Sequence, residues 1–87
     1  MTTNGLARRL EIYPNPTHSL IHVNMPEGIK WQYWAIYDIT GKKVRTGKIK
    51  TQDKITITGM QTIGKGIHFL MVKAEDGKMG IGKFVVE

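Results

Sequence analysis

Apolar and polar residues alternate along most of this chain in short runs, and no run carries the i, i+3, i+4 spacing of a helix. Leu10–Tyr13 is a short strand stopped by Pro14, which has no backbone N–H to give a sheet. Ser19–Asn24 places Ile21 and Val23 on one face. After the break at Pro26-Glu27-Gly28, Lys30–Asp38 reads as a long strand. Trp34 and Ile36 fall on one of its sides, and Tyr33, Ala35 and Tyr37 on the other. Thr40-Gly41-Lys42 is a turn, with Gly41 free to take positive φ. Lys43–Lys50 is polar and interrupted by Gly47, which suits an edge strand whose charges discourage pairing with another chain. Asp53–Thr58 alternates Ile55 and Ile57 with polar residues, and Gly59–Lys65 is a loop holding Met60 and Ile63. Gly66–Ala74 is apolar on both faces, as a central strand is. Asp76-Gly77 is a strong hairpin signal, and Lys78–Val86 returns as the final strand. About seven strands, with turn signals every 8–12 residues or so, predict an all-β domain: a small antiparallel sandwich or barrel.

Length and composition narrow this further. A chain of 87 residues holds one small core and no cofactor domain beside a substrate domain. The 40% hydrophobic and 23% charged content is that of a globular chain. The absence of cysteine excludes a disulfide framework, a cysteine-based zinc site and a thiol nucleophile. Residues 1–9 read as a linker remnant or an added tail, and residues 10–87 as the domain. The tail has Arg8-Arg9 but no apolar segment, so it is not a secretory signal peptide. An export signal, if the protein works outside the cytoplasm, is expected elsewhere in a longer parent. The longest uncharged apolar stretch, Gly66–Val72, is far short of the roughly 18 residues of a membrane helix.

Catalytic and metal chemistry find little support. His18 and His22 lie four residues apart in or beside a strand, a span of about 13 Å. One zinc ion, with each ligand nitrogen about 2 Å away, does not bridge them. Ser19 has no Gly-x-Ser-x-Gly setting and no paired base. Asp38 and Asp76 are turn residues. Gly41-Lys42-Lys43 and Gly64-Lys65-Gly66 lack the spacing of a phosphate loop and lead into strands instead of helices, and Gly80-x-Gly82 lacks a third glycine. The expectation is no enzyme, no cofactor and no metal.

Charge is the more tempting feature. Thirteen Lys and Arg against seven Asp and Glu give a net +6. Lys42, Lys43, Arg45, Lys48, Lys50 and Lys54 form a basic patch in sequence, opposed by Asp53 alone. A basic strand with nearby aromatics binds single-stranded nucleic acid on some small barrels. A solvated, charge-protected edge strand is the simpler reading, and no nucleic acid is expected. Trp31, Tyr33 and Tyr37, at odd positions of one strand, offer a second alternative: a sugar-stacking face of a carbohydrate-binding module. The same aromatics are equally suited to core packing.

Tyr13-Pro14-Asn15-Pro16-Thr17 is the unusual segment. Each proline fixes its own φ and biases the residue before it, so the corner is stiff and loses little entropy on binding. This motif and its company resemble the C-terminal sorting domains of the type IX (Por) secretion system of Bacteroidetes. Those domains open on Tyr-Pro-Asn-Pro, matched by Tyr13, Pro14, Asn15 and Pro16, followed by an apolar strand at Leu20–Val23. An Ile-Tyr-Asp segment with a glycine and a basic residue beyond it is matched by Ile36-Tyr37-Asp38, Gly41 and Lys42. Ile55–Met60 resembles an Ile-x-x-x-Gly-Leu stretch. A Gly-x-Tyr strand is matched by Gly66-Ile67-His68, with histidine where tyrosine is common. The chain closes on Lys83, Phe84, Val85 and Val86, like the family's Lys-apolar-Val-Val ending.

The resemblance implies an immunoglobulin-like β-sandwich at the end of a larger exported cargo protein. It implies transit through the periplasm, recognition by the outer-membrane secretion translocon, and a final place at the cell surface or in the medium. Removal by a sortase-like surface protease, or anchoring to anionic lipopolysaccharide, follows in that family. The terminal strand Lys83–Val86, with the Tyr13–Pro16 corner, is the expected docking element, strand-edge addition being one mode. Phe69–Val72 leaves a strand-swapped homodimer open.

Overall fold

The computed structural model describes residues 8–87. Eight strands form, one more than the alternation predicts: β1 (Arg8–Arg9), β2 (Glu11–Tyr13), β3 (Leu20–Asn24), β4 (Trp31–Asp38), β5 (Lys43–Lys48), β6 (Lys54–Thr58), β7 (Gly66–Ala74) and β8 (Met79–Val86). They make a five-stranded sheet in the order β1-β8-β7-β4-β5 and a three-stranded sheet in the order β2-β3-β6. Packed face to face, the two are an immunoglobulin-like sandwich. β1 runs parallel to β8, as does the isolated Thr17–Val86 bridge; the other strand pairings are antiparallel.

The extra strand arises in the expected tail. Residues 1–7 lie outside the described residues, but Arg8 and Arg9 pair with Gly80 and Ile81. Leu10 then donates its N–H to the Ile81 carbonyl, buries its side chain and passes the chain to the opposite sheet, where β2 begins. Two glycines permit that crossing. A Cβ on Gly82 would stand 2.5 Å from Ile12 Cδ1, and one on Gly80 would stand 2.7 Å from Leu10 Cδ2. Gly80-x-Gly82 is thus a place where side chains of the first strands lie against the sheet backbone.

Alternation fixes the core. Ile21 and Val23 of β3 and Ile55 and Ile57 of β6 meet Ile36, Leu70, Val72, Phe84 and Val86 across the sandwich. β7 is central, between β4 and β8, and β5 is an edge, as their compositions predict. The loop after β6 contains one short 3-10 turn, Met60–Thr62. Met60 N–H donates to the Ser19 carbonyl and its side chain closes the end of the core.

β4 departs from simple alternation. Its pairing with β7 shifts register between Trp31 and Tyr33, so Trp31 turns inward and is only 1% exposed. Gln52 stabilises the irregular backbone: its Oε1 accepts from Trp31 N–H at 2.7 Å and its Nε2 donates to the Trp31 carbonyl at 3.1 Å. The indole Nε1 donates to the Pro26 carbonyl. The shared face expected for Trp31, Tyr33 and Tyr37 therefore does not exist. One extra residue in the strand exchanges the sides of everything before it.

Candidate functional site

The corner and the terminal strand, nearly the whole chain apart in sequence, meet in the fold. Asn15 Nδ2 donates to the Lys83 carbonyl at 3.2 Å, and Asn15 Oδ1 accepts from Val85 N–H at 2.9 Å. An amide side chain carries both a donor group and an acceptor oxygen. Here it occupies the place of a neighbouring strand's peptide group. Thr17 continues the contact with backbone groups: its N–H donates to the Val85 carbonyl at 2.8 Å, and its carbonyl accepts from Glu87 N–H at 2.9 Å. Thr17 is buried, with its hydroxyl donating to the Leu20 carbonyl. With Leu10 bound to Ile81, the outward edge of β8 has partners at Ile81, Lys83, Val85 and Glu87. Strand-edge addition at Lys83–Val86, expected as a docking mode, is corrected on that ground: the Lys83 carbonyl, both Val85 peptide groups and the Glu87 N–H already have partners.

Alternation divides the terminal motif into two functions. Phe84 and Val86 point inward and are fully buried; Lys83 is exposed and Val85 half-buried. His68 stacks on Phe84 at 5.7 Å between ring centres, with Nδ1 and Nε2 facing the Gly66 and Ile63 carbonyls at 3.0 and 3.2 Å. Pro14, Asn15 and Pro16 are exposed, and both X–Pro bonds, after Tyr13 and after Asn15, are cis. Tyr13 is 37% exposed, 5.2 Å from the His22 ring, with Lys54 Nζ 5.7 Å over its ring.

Gly41 and Gly66 stand apart from that junction and answer to backbone shape. Gly41 takes φ +88° in the β4–β5 hairpin, and Gly66 takes φ +115° where β7 begins. No neighbour crowds either one, so it is the left-handed conformation that favours glycine. Asp38 organises the Gly41 turn: its Oδ1 accepts from Thr40 N–H, Thr40 Oγ1 and Lys42 N–H. The Thr40 hydroxyl first, then the Lys42 amide, hold the Asp38 carboxyl below its ordinary pKa. The Ile36-Tyr37-Asp38…Gly41-Lys42 motif is thus a self-contained hairpin.

The basic run does not form one patch. Lys43 and Lys48 pair with Tyr37 and Tyr33, on the outward side of the five-stranded sheet. Arg45 pairs with Ile36 on the other side, lies 5.8 Å over the Trp34 ring and donates from Nη1 to the Thr58 carbonyl at 2.5 Å. It ties the β5 edge to β6. Lys54 belongs to the second sheet beside Tyr13. Gly47 admits the Trp34 ring, which a Cβ would meet at 2.5 Å. The nucleic-acid reading needs one continuous basic track, and β5 directs its charges to both sides. The sugar-binding reading loses Trp31 to the core.

The histidines go separate ways. His18 faces Glu87 at 3.6 Å, His22 contacts Thr56 Oγ1 at 2.9 Å, and His68 is in the core. The Asn15 clamp, the Gln52 brace and the close approach at Gly80 and Gly82 were beyond sequence reasoning. For Asn15 a signal existed: it carries the one side-chain amide of a corner whose two prolines give no N–H.

Comparison with known proteins agrees with the geometry. The family model described as a secretion system C-terminal sorting domain matches residues 11–87. No curated protein matches the chain. Among solved structures, the crystal structure of CopC from Methylosinus trichosporium OB3b is similar with a TM-score of 0.50 and 22% identity. The match covers 93% of this chain and 83% of that one. At that identity the likeness concerns the fold alone.

Proposed function

Because the chain belongs to the family of secretion-system C-terminal sorting domains, we propose that the junction of its first corner and last strand is what the secretion machinery reads. The domain itself is the C-terminal sorting signal of a type IX secretion cargo. It implies a cargo portion on its N-terminal side, the type IX machinery as partner, and export to the cell surface or the medium. A signal of this kind works by being recognised, not by catalysis.

The observation that carries the proposal is the bidentate Asn15 contact with Lys83 and Val85. In an unfolded chain Tyr13–Pro16 and Lys83–Val86 are two short, separate motifs. Folding makes them one surface, with Tyr13, Pro14 and Lys83 exposed around a stiff corner. A reader of that surface accepts folded domains and rejects unfolded ones. Because most of the β8 edge is already paired, recognition proceeds through side chains, with Lys83 as the charged contact. The domain folds in the periplasm and is read by the outer-membrane translocon. A sortase-like surface protease then removes it, leaving the cargo bound to anionic lipopolysaccharide or released.

Export of a reporter fused to residues 1–87, in a Bacteroidetes host with an active type IX system, tests the reading. Lys83→Ala changes an exposed side chain and is expected to leave thermal unfolding unchanged. It is expected to hold the reporter in the periplasm. Normal export of a folded Lys83→Ala fusion would remove Lys83 from the recognition surface. Asn15→Ala in the same assay, compared at a temperature where the variant remains folded, separates recognition of the corner from its structural role.

A further inference from the structure

The outward face of the five-stranded sheet carries apolar side chains that nothing in the described residues covers. Ile67 and Phe69 of β7 and Ile81 of β8 are 39%, 36% and 42% exposed, and Ile39 in the adjoining turn is 70% exposed. Tyr37, Ile39, Phe69, Met71 and Ile81 border a groove of about 280 Å³. Register sets cations at the ends of the rows that cross this face. Lys83, Phe69, Tyr37 and Lys43 stand side by side on four successive strands. Arg9, Ile81, Met71, Ala35 and Thr46 form the next row, and Met79, Lys73, Tyr33 and Lys48 the one beyond. No carboxylate stands at an outward position of these strands among the described residues. Asp38 lines one end of the groove, but its Oδ1 is already held by Thr40 and Lys42.

We propose that this face binds an acidic protein segment that lays apolar side chains in the groove and carboxylates against the surrounding lysines. A contiguous apolar surface on so small a domain marks an interaction site, and a one-sign rim selects a partner of opposite sign and speeds the encounter. Charge excludes a second copy of this chain in a face-to-face pair, because five cations would meet five cations. Shape disfavours a lipid bilayer. Phe69, Ile67 and Ile81 lie partly covered along the sheet, and the groove accepts side chains more readily than it inserts them. The inference rests on the sorting role in one respect: the segment is placed in the secretion machinery.

The same reporter assay tests it with charge-matched pairs. Lys43→Glu with Lys73→Glu reverses two cations of this face and alters no residue of the corner or the terminal strand. It is expected to lower export at least ten-fold at unchanged melting temperature. Lys30→Glu with Lys65→Glu makes the same change in net charge elsewhere and is expected to export as wild type. Phe69→Ser with Ile81→Ser removes the apolar part and is expected to fall with the first pair. Failure of the wild-type fusion to be exported would overturn the sorting role itself. Wild-type export with undiminished export of Lys43→Glu/Lys73→Glu would overturn this face alone. Two further results would also overturn it. One is co-sedimentation of the isolated chain with phosphatidylglycerol vesicles, lost in Lys43→Glu/Lys73→Glu, which would assign the face to a membrane. The other is a dimer in sedimentation velocity that Phe69→Ser/Ile81→Ser dissociates, which would assign it to a second copy.

Discussion

The two margins of the five-stranded sheet solve the same problem by opposite means. At one, β8 would present a row of unpaired peptide groups. Leu10, Asn15 and Thr17 meet most of those groups in turn, with a strand at one end, a side-chain amide between and the Thr17 backbone at the other. At the opposite margin the outer edge of β5 has no neighbouring strand among the described residues, and its lysines guard it. The sealed margin is specific: it needs Asn15 at one position and the terminal strand at one register. The charged margin is generic, and any cation in the strand serves. Tyr13–Pro16 and Lys83–Val86 come together at the first margin, where a hydrogen-bonded junction has one correct partner. Solubility can be maintained at the second by composition alone.

The largest way to break this comparison is from beneath the sealed margin. Phe84→Ala empties a fully buried site under the terminal strand and should cost about 3–5 kcal/mol, seen as a fall in the urea midpoint with an unchanged slope. Next comes the approach of the first strands. Gly82→Ala sets a Cβ 2.5 Å from Ile12 Cδ1 and 3.2 Å from Leu10 Cβ, in a place where the neighbours are themselves packed. It should cost about 1–3 kcal/mol by overpacking. A melting temperature equal to wild type would show that Ile12 moves aside without loss.

Asn15→Ala removes two hydrogen bonds at an exposed site where water replaces part of what is lost. About 1 kcal/mol is expected, a fall of roughly 4–8 °C in melting temperature for a domain of this size. Lys43→Thr with Lys48→Thr acts on the other margin and should leave stability within about 0.5 kcal/mol of wild type. Its effect is expected in light scattering at high concentration, as association through the unguarded β5 edge. An effect on stability but none on association would reverse the contrast between the margins. The smallest effect concerns the Asp38 hairpin. Its carboxyl has a folded-state pKa below the ordinary value, so it stabilises the fold above the unfolded pKa and loses that contribution as pH falls through the folded one. The urea midpoint of wild type should fall slightly more than that of Asp38→Asn between pH 6 and the acid limit.

Much of this was readable from residues in order. Ile21, Val23, Ile55 and Ile57 alternate and are buried; Gly66–Ala74 lacks a polar face and lies at the centre of its sheet. The family motifs were legible as a set, and the family match over residues 11–87 agrees with them. What the order of residues did not show was how the motifs divide. Within Lys83–Val86 alternate positions serve the core and the surface, and within Lys42–Lys54 the charges go to different sides. Trp31 reads as the partner of Tyr33 and Tyr37 until the register shift places it in the core.

The sequence by itself determined the all-β class, the strand positions, the edge character of β5 and the membership in a sorting family, because periodicity, turn chemistry and short motifs act locally. Tertiary structure alone decided that Asn15 grips Lys83 and Val85, that Gly80 and Gly82 receive Leu10 and Ile12, and that cations ring an apolar sheet face. Each of those facts depends on register between strands distant in the chain. Register is fixed by the whole core at once, not by any segment of it.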